Sequence, residues 1–327
     1  GVVQLAMQDR MAFLTLGRPA PPARPPAPQP GPQGRGVGAI LAPGPRRVVP
    51  PCPHFGVCGG CALQHWRHDA YLAWKVSRLV HTLSLQRIET EMLSPFAAQP
   101  GTRRRVALHA RRGSRDAARI GFKARKSWDL VSVATCPIAD PAIEAALPML
   151  AKMAAPLFEH PKSAPTLHVT LTPSGLDIEI TGVERKSGGL SADARMTVAE
   201  VAAEADFARV TMDGEPAYMS RQPTVRLGQA VVALPPGAFL QATPQTEEAM
   251  VGFVGEQAGG ATRIADLYCG VGTFTFRLAE IAPVYAAEGS APAVKALTTA
   301  LATAPGLKGV TAEARDLVRR PVLAEEQ

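Results

Sequence analysis

The spacing of apolar residues along the chain predicts alternating blocks of helix and strand. Apolar residues that recur every three to four positions indicate helices, and strict alternation indicates half-buried strands. Up to about residue 240 the pattern predicts, in order, a helix over 69–85, strands within 103–133 about a turn at Gly113-Ser114, a helical stretch over 141–158, a hairpin over 166–180 around Pro173-Ser174-Gly175, a helix over 197–206, a strand over 207–212 and further short strands.

The last part of the chain repeats a strand–helix unit. The pattern predicts, in order, a helix over 247–257, a strand over 263–268, a helix over 273–281, a strand over 283–287, a helix over 291–303 and a short strand over 309–312. Strands that alternate with helices in this way form parallel sheets covered by helices. We therefore predict an α/β fold whose final domain contains a parallel sheet.

Composition agrees with a globular protein, because 46% of the 327 residues are hydrophobic. No apolar run reaches the about 18 residues that a membrane-spanning helix needs, so no membrane contact is expected. Proline is concentrated near the start, where eight of the 31 prolines fall between Pro19 and Pro32. This stretch predicts an extended linker or arm, since proline disrupts helices and central strands.

Charge is distributed unevenly along the chain. Residues 1–136 contain 20 Lys and Arg against six Asp and Glu, whereas residues 137–327 contain 15 against 22. A basic half joined to an acidic half indicates that one end contacts a polyanion. The alternative is a chance asymmetry on a solvated surface.

Four of the five cysteines have a spacing typical of metal ligands. Cys52, Cys58 and Cys61 lie within PCPHFGVCGGC, and Cys136 follows later. Four thiolates suit tetrahedral zinc or an iron–sulfur cluster. Zinc ribbons present two Cys-x2-Cys pairs and this chain has one, which favours iron, with zinc and unrelated buried cysteines as the alternatives. An odd cysteine number without a visible signal peptide indicates a reducing compartment rather than a disulfide framework.

A dense basic run lies between Arg103 and Lys126. It holds ten Lys and Arg residues and one acid, Asp116, with Phe122 and Trp128 in or beside it. Cationic side chains neutralise phosphates and aromatic rings stack on unpaired bases, so the run predicts contact with RNA. A solvated, charged hairpin is the alternative.

The segment IADLYCGVGTFTF predicts a turn that binds a nucleoside. A strand that ends with Asp266 leads to Gly270-x-Gly272, and Glu288 ends the next strand. Glycines let the backbone approach a ligand, and an acid at the second strand end can bind both ribose hydroxyls. Thr275 stands where a dinucleotide motif has a third glycine, which favours a nucleoside without a pyrophosphate, with S-adenosylmethionine the leading case. An ordinary α/β turn is the alternative.

A further segment, GAFLQAT, precedes the helix that leads into this turn. Its Gln241 is a neutral amide that can hydrogen-bond a bound substrate or cofactor. Glutamine is more often solvated than ligand-bound, so by itself Gln241 is weak support for a site.

Together, these segments resemble the RNA (uracil-5-)-methyltransferase family, specifically its iron–sulfur members that act on 23S ribosomal RNA. PCPHFGVCGGCALQHW is similar to the family's cluster loop, and RIGFKARKSWDLVSVATCPI to the stretch with the fourth cluster ligand. GAFLQAT resembles the family's Phe-Phe-Gln-x-Asn segment, and DLYCGVGTF its cofactor loop. The resemblance covers roughly residues 38–318 in the family's order.

The resemblance implies a class I, Rossmann-like methyltransferase domain preceded by an iron–sulfur and central α+β domain. It implies S-adenosyl-L-methionine and a [4Fe–4S] cluster as cofactors. The implied cluster ligands are Cys52, Cys58, Cys61 and Cys136, and the implied cofactor-binding residues are Gln241, Tyr268, Gly270, Gly272, Thr273, Glu288 and Asp316. In this family a cysteine adds to C6 of uracil, C5 takes the methyl group, and a carboxylate then removes the C5 proton.

The family's pattern also extends further than this sequence. It places an RNA-binding β-barrel before the cluster loop, and an Asp-Pro-Pro-Arg segment, the nucleophile and the base after the cofactor loop. We therefore expect three domains: 1–50, a proline-rich arm; 51–235, the iron–sulfur and central RNA-binding domain; and 236–327, the first half of the methyltransferase domain. We assign no catalytic residue, and expect a chain truncated at both ends to be inactive alone.

The function predicted on these grounds is S-adenosylmethionine-dependent methylation of uracil C5 in RNA. We expect 23S rRNA as the substrate, a cytoplasmic location and a monomer. The alternative is a metal-cluster RNA-binding protein that transfers no methyl group.

Overall fold

The structure, a computed structural model, describes residues 43–114, 116–183 and 189–323. Residues 1–42 of the predicted proline-rich arm and Arg115 of the basic run lie outside the described residues. The helices are α1 (His68–Leu85), α2 (Pro141–Ala145), α3 (Leu147–Ala154), α4 (Ala192–Glu204), α5 (Pro244–Gln257), α6 (Thr275–Leu278) and α7 (Ala291–Leu301). The strands are β1 (Arg105–Arg111), β2 (Arg119–Lys123), β3 (Leu130–Ser132), β4 (Thr166–Thr172), β5 (Gly175–Thr181), β6 (Arg209–Met212), β7 (Glu215–Met219), β8 (Thr224–Leu227), β9 (Ala230–Ala233), β10 (Ile264–Leu267), β11 (Val284–Glu288) and β12 (Val310–Ala314).

The first part of the chain forms a seven-stranded sheet in the order β3-β2-β1-β4-β5-β6-β7. Neighbouring strands are antiparallel except β5 and β6, which are parallel and joined through α4. One face of the sheet is apolar because alternate residues such as Leu108, Leu167 and Ile178 point the same way and are buried. Helices α2, α3 and α4 pack on that face and complete the core.

The second part of the chain forms a parallel sheet in the order β10-β11-β12. Phe276 of α6 and Leu297 of α7 are fully buried in its core. The β8–β9 hairpin contributes Val225 and Val232 to this second core, not to the first. We therefore divide the two cores before Thr224, whereas the sequence placed the boundary at residue 236.

The predicted helices and strands are confirmed in type over the described residues, and the differences lie at their ends. Helix α4 begins at Ala192, not 197, because the Ser191 side chain accepts the backbone N–H of Ala194 and caps it. Helix α5 begins at Pro244 because Thr243 caps it in the same way. No described helix combines the length and apolar character that crossing a bilayer requires.

The apolar face of the larger sheet should dominate the stability of the first core. Leu150 of α3 is 0% exposed, so Leu150→Ala leaves a cavity and should cost about 2–5 kcal/mol. Leu79→Ala in α1, where the side chain is 49% exposed, is the matched control and should cost far less. Thermal and urea unfolding of both variants measure the difference, and equal losses would contradict this packing.

Candidate functional site

The glycine-rich turn closes the carboxyl end of β10 with a constrained backbone. Tyr268, Gly270 and Gly272 have φ angles of 62°, 59° and 97°, a region that glycine adopts without strain. Packing also requires Gly272 to be glycine, because a Cβ atom there would lie 2.6 Å from the ring of Phe276. Tyr268 adopts the same region with a side chain, and such strained residues cluster at functional sites.

Glu288 holds this turn from the end of the neighbouring strand β11. One of its carboxylate oxygens accepts the backbone N–H of Gly270 at 3.1 Å, and the other accepts that of Ser290 at 2.8 Å. The backbone N–H of Arg315 donates to the Glu288 carbonyl at 2.8 Å, which brings the exposed Asp316 to the same edge. The carboxyl edge of the smaller sheet therefore gathers six of the predicted cofactor residues: Tyr268, Gly270, Gly272, Thr273, Glu288 and Asp316.

Asp266 and Cys269 lie beneath the turn rather than at its surface. The Thr275 hydroxyl donates to Asp266 at 2.6 Å, and burial raises the pKa of Asp266 to about 6. Cys269 is 4% exposed, and burial, followed by the charges of Asp266 and Glu288, raises the pKa of its thiol. Because a thiol that stays protonated is a poor nucleophile, these surroundings disfavour Cys269 as a nucleophile.

The seventh predicted cofactor residue, Gln241, follows a residue of the same core as the turn. Its neighbour Leu240 is fully buried in the core that also contains Cys269 and Val271. The segment of residues 237–243 and the turn are therefore anchored in one core.

Two arginines from the start of β1 fix the Gln241 segment from the other side. The Arg104 Nε atom donates to the carbonyl of Gln241 at 3.0 Å, and Nη2 donates to the carboxylate of Glu247 at 2.5 Å. Arg105 Nη1 donates to the carbonyl of Leu240 at 2.8 Å. The larger sheet therefore positions the residue that the sequence assigns to the cofactor.

Arg104 is not available for RNA phosphates, although the basic run predicted phosphate contact along its length. It is 7% exposed and its guanidinium is paired inside the protein. Burial raises the pKa of Glu247, and the charge of Arg104 opposes that rise. Sequence reasoning missed Glu247, which nothing in the helical pattern of α5 distinguishes from its neighbour Glu248.

The four predicted metal-ligating cysteines line one cavity. Burial raises the pKa of the Cys61 thiol, and so do the charges of the other three cysteines, which places all four within electrostatic reach of one another. All four are free thiols. The cavity is lined by Cys52, His54, Phe55, Cys58, Gly60, Cys61, Gln64, Arg103, Val106, Phe122, Val133, Thr135, Cys136, Pro137 and Ile138.

Hydrogen bonds from neighbouring side chains hold the cysteine backbone. The N–H of Cys52 donates to Gln64 Oε1 at 3.3 Å, and the N–H of Cys136 donates to Glu144 Oε2 at 2.8 Å. The other oxygen of Glu144 accepts the Thr135 hydroxyl at 2.9 Å. Sequence reasoning also missed Glu144. The only feature of the sequence that points to Glu144 is its place on α2, the helix that follows Cys136.

The four cysteine side chains of the cavity do not converge on a position for a single metal ion. Within residues 43–114, 116–183 and 189–323, no group of three or more His, Cys, Asp or Glu side chains is arranged to hold a metal ion. The cavity nevertheless has the four thiols in a wall that combines apolar residues with His54, Gln64, Arg103 and Thr135, with no carboxylate among its lining residues.

The cysteine loop is joined to the basic hairpin of β2 and β3. The N–H of Gly59 donates to the carbonyl of Lys123 at 2.9 Å, and the N–H of Arg125 donates to that of Val57 at 3.3 Å. A Cβ atom on Gly59 would lie 2.7 Å from the Lys123 oxygen, so this approach requires glycine. The cysteine loop and the basic hairpin are therefore held together by their backbones.

The basic run contacts an exposed tryptophan. Trp128 is 77% exposed, and the Lys123 ammonium lies 3.8 Å from its ring centroid. The basic residues of the run that are exposed in the described part of the chain are Arg103, Arg112, Arg119, Arg125 and Lys126.

The buried pair of Arg104 and Glu247 should be essential for stability. Arg104→Met leaves the carboxylate of Glu247 buried without its cation, which should cost about 3–5 kcal/mol. The pKa of Glu247 is raised in the folded protein, so the folded state binds the extra proton and stability falls as pH rises above the ordinary glutamate range. The loss should therefore be larger at about pH 7 than at about pH 5 in thermal unfolding.

The double variant Arg104→Met/Glu247→Gln provides the control. Without a buried charge it should regain most of the lost stability, because the two single changes are coupled. A double variant no more stable than Arg104→Met would show that the ion pair is not the cause.

Comparison with known proteins finds sequence relatives that are named as RNA methyltransferases. An uncharacterized RNA methyltransferase of Caulobacter vibrioides is 63% identical over 316 residues, covering 96% of this chain and 75% of the relative. An uncharacterized RNA methyltransferase of Brucella suis is 40% identical, covering 88% of this chain and 68% of the relative. A more distant relative is the 23S rRNA (uracil(1939)-C(5))-methyltransferase RlmD of Halomonas elongata, 32% identical over 80% of this chain and 57% of its own length. No family model matches the chain.

A solved structure shares the fold. The tRNA (uracil-54, C5)-methyltransferase of Pyrococcus abyssi, in complex with S-adenosyl-L-homocysteine, superposes with a TM-score of 0.59 at 20% identity, covering 84% of this chain and 67% of that one. This likeness confirms the predicted class I methyltransferase fold. With sequence relatives of this similarity and coverage, the chain belongs to the RNA methyltransferases.

Proposed function

We propose that the protein methylates C5 of a uracil in RNA, with S-adenosylmethionine as methyl donor and 23S rRNA as substrate, acting as a monomer in the cytoplasm. The observation that carries the proposal is the position of the arginine run Arg103–Arg105. Arg103 lines the four-cysteine cavity, and Arg104 and Arg105 bond the Gln241 segment. The arginine run thus connects the cysteine cavity to the segment that carries Gln241.

The cofactor would lie along the carboxyl edge of β10, β11 and β12. Each oxygen of Glu288 already accepts one N–H, and a carboxylate oxygen has a second lone pair for a ribose hydroxyl. The amide of Gln241 and the ring of Tyr268 flank the nucleoside in this proposal. Thr273 lies near the methionine end and Asp316 near the adenine.

The expected chemistry is covalent. Addition of a cysteine thiolate to C6 gives C5 enolate-like character, C5 then attacks the sulfonium methyl group, and a base removes the C5 proton as the thiol leaves. Cys269 is not proposed for this role, because it is buried and burial raises the pKa of its thiol. The other four cysteines are proposed as cluster ligands, so we assign no nucleophile among the residues of this chain.

The four-cysteine cavity fits a [4Fe–4S] cluster by its chemistry. Thiolates are the ligands that such clusters take, and the apolar residues in the cavity wall limit solvent access to them. Arg103 adds a positive charge at the cavity, which would offset the negative charge of a cluster with four thiolates. His54 also lines the cavity, and its buried Nε2 atom has no hydrogen-bond partner in the described part of the chain.

A four-iron cluster separates its sulfur ligands more widely than a single ion does, so iron rather than zinc is the metal that we propose. When bound, the cluster would fix the loop of Cys52, Cys58 and Cys61 to the stretch that carries Cys136. The cluster's role in this proposal is to hold the basic hairpin beside the substrate.

Iron content tests the cluster. Protein purified without oxygen should be brown and contain about four irons per chain. Cys58→Ser should lose the iron, whereas Cys269→Ser, which changes the one cysteine outside the cavity among those described, should retain it. Elemental analysis and visible absorption measure both. Stoichiometric zinc without iron would refute this part of the proposal.

Methyl transfer tests the function itself. In a protein that also carries the family's nucleophile and base segments, tritiated S-adenosylmethionine with unmodified 23S rRNA should label one nucleoside, identified as 5-methyluridine by mass spectrometry. Glu288→Gln removes the charge at the cofactor edge and should weaken S-adenosylmethionine binding about tenfold, or about 1.4 kcal/mol. The exposed Glu256→Gln on α5 is the matched control.

Each other outcome has a definite meaning. A different methylated nucleoside would contradict the uracil C5 assignment, and label in tRNA alone would contradict the 23S rRNA assignment. Iron and RNA binding without S-adenosylmethionine binding would favour the alternative, an RNA-binding protein that transfers no methyl group.

A further inference from the structure

Helices cover the larger sheet on one face only. Ile143, Leu150 and Val198 come from those helices and are buried in the core on that face. Ala107, in contrast, is exposed, although its strand β1 lies inside the sheet between β2 and β4. No described element therefore covers the sheet around Ala107, and we call this surface the open face.

Polar and basic side chains occupy the open face. Residues paired across neighbouring strands lie on the same face, and Ala107 pairs with His168 while His109 pairs with Gly121. Gly121 is itself buried, because the backbone of Val131 in β3 lies close against it. The basic residues that share this alternation are Arg105, Arg111, Arg119 and Lys123.

The acidic residues of the same face are neutralised or covered. Asp177 forms a bidentate ion pair with Arg209, at 2.8 and 2.7 Å. Glu179 lies against the backbone at Gly237. The exposed part of the open face is therefore positively charged, which complements a polyanion.

An aromatic ring beneath a cation stands at each end of this surface. At one end Phe239, 49% exposed, lies under the Arg105 guanidinium at 5.0 Å, two residues from Gln241. At the other end Trp128 lies under Lys123 at 3.8 Å, and Arg111 donates to the Trp128 carbonyl at 3.4 Å. The seven residues of β1 that separate these ends span roughly 20 Å.

Two histidines with fixed rings lie between the ends. The Nδ1 atom of His109 is 3.0 Å from the Thr166 hydroxyl, and the Nε2 atom of His168 is 3.2 Å from the Thr181 hydroxyl. Burial, followed by the charges of Lys123, Arg111 and His168, lowers the pKa of His109. Each ring has one nitrogen at a threonine hydroxyl, which leaves the other nitrogen to donate to or accept from the edge of a base, according to the tautomer.

We propose that the open face, from Phe239 to Trp128, binds an unpaired stretch of the substrate RNA next to the target uracil. This inference rests on the proposed function, because it places the RNA chain so that one end reaches the Gln241 segment. Exposed rings stack only on unpaired bases, and the Arg and Lys side chains along β1 and β2 reach the phosphates. The span suits the shortest single-strand sites, about four nucleotides.

A charge placed in the middle of the face tests the proposal. Ala107→Glu adds a carboxylate at an exposed position without removing any contact, and should weaken binding of a single-stranded oligoribonucleotide of about eight nucleotides at least about tenfold. Ala192→Glu adds the same charge at the exposed first turn of α4, against the opposite face, and should change affinity less than about twofold. Fluorescence anisotropy at fixed salt measures both, with thermal unfolding as a check on folding.

Photocrosslinking gives a second readout on the unmodified chain. A 4-thiouridine oligoribonucleotide should crosslink to peptides that contain Trp128 or Phe239, and the duplexed oligonucleotide should not. Equal affinities of Ala107→Glu and Ala192→Glu, or crosslinks confined to other surfaces, would overturn the proposal. If Ala107→Glu keeps both its methyl transfer and its RNA affinity, only the proposal that the open face binds RNA is overturned. If the wild-type protein does not bind S-adenosylmethionine, the proposed function itself is overturned.

Discussion

Three consecutive arginines at the start of β1 connect the parts of the protein that carry its chemistry. Arg103 lines the cysteine cavity, Arg104 bonds both Gln241 and Glu247, and Arg105 bonds Leu240. Because the Arg104–Glu247 pair is buried, its two charges stabilise the fold only while both remain in place. The structure is therefore constrained to keep the cysteine cavity and the Gln241 segment at a fixed separation.

A second buried arginine reinforces the same connection. Arg209 pairs with Asp177 on the larger sheet and donates to the carbonyl of Leu234 at 2.8 Å. The segment between the two cores is thus bonded to the sheet at both of its ends, by side chains that have their charges satisfied. The arginines bond backbone carbonyl oxygens of this segment and not its side chains. The side chain of Gln241 is therefore not needed to hold the segment in place, and in the proposal it faces the cofactor.

The sequence predicted what depends on near neighbours and failed where distant residues meet. The glycine-rich turn, the β4–β5 hairpin and the cysteine spacing are local patterns, and each folds as its residues indicate. Arg104 and Glu247 are 143 positions apart, and no periodicity relates them. Charge alone therefore suggested that Arg104 contacts RNA, whereas burial assigns it to the interior. The open face was also unforeseen, since strand alternation does not reveal whether helices cover one face or two.

The central claim is that Arg104 positions Gln241 for the cofactor, and the affinity for S-adenosylhomocysteine tests it most directly. Arg104→Lys keeps the charge beside Glu247 but lacks the planar fork that bonds the carboxylate and the Gln241 carbonyl together. Calorimetric titration should show binding about tenfold weaker than in the wild type, a loss of about 1.4 kcal/mol, while thermal unfolding shows the variant still folded. Unchanged affinity in a folded Arg104→Lys protein would contradict the account.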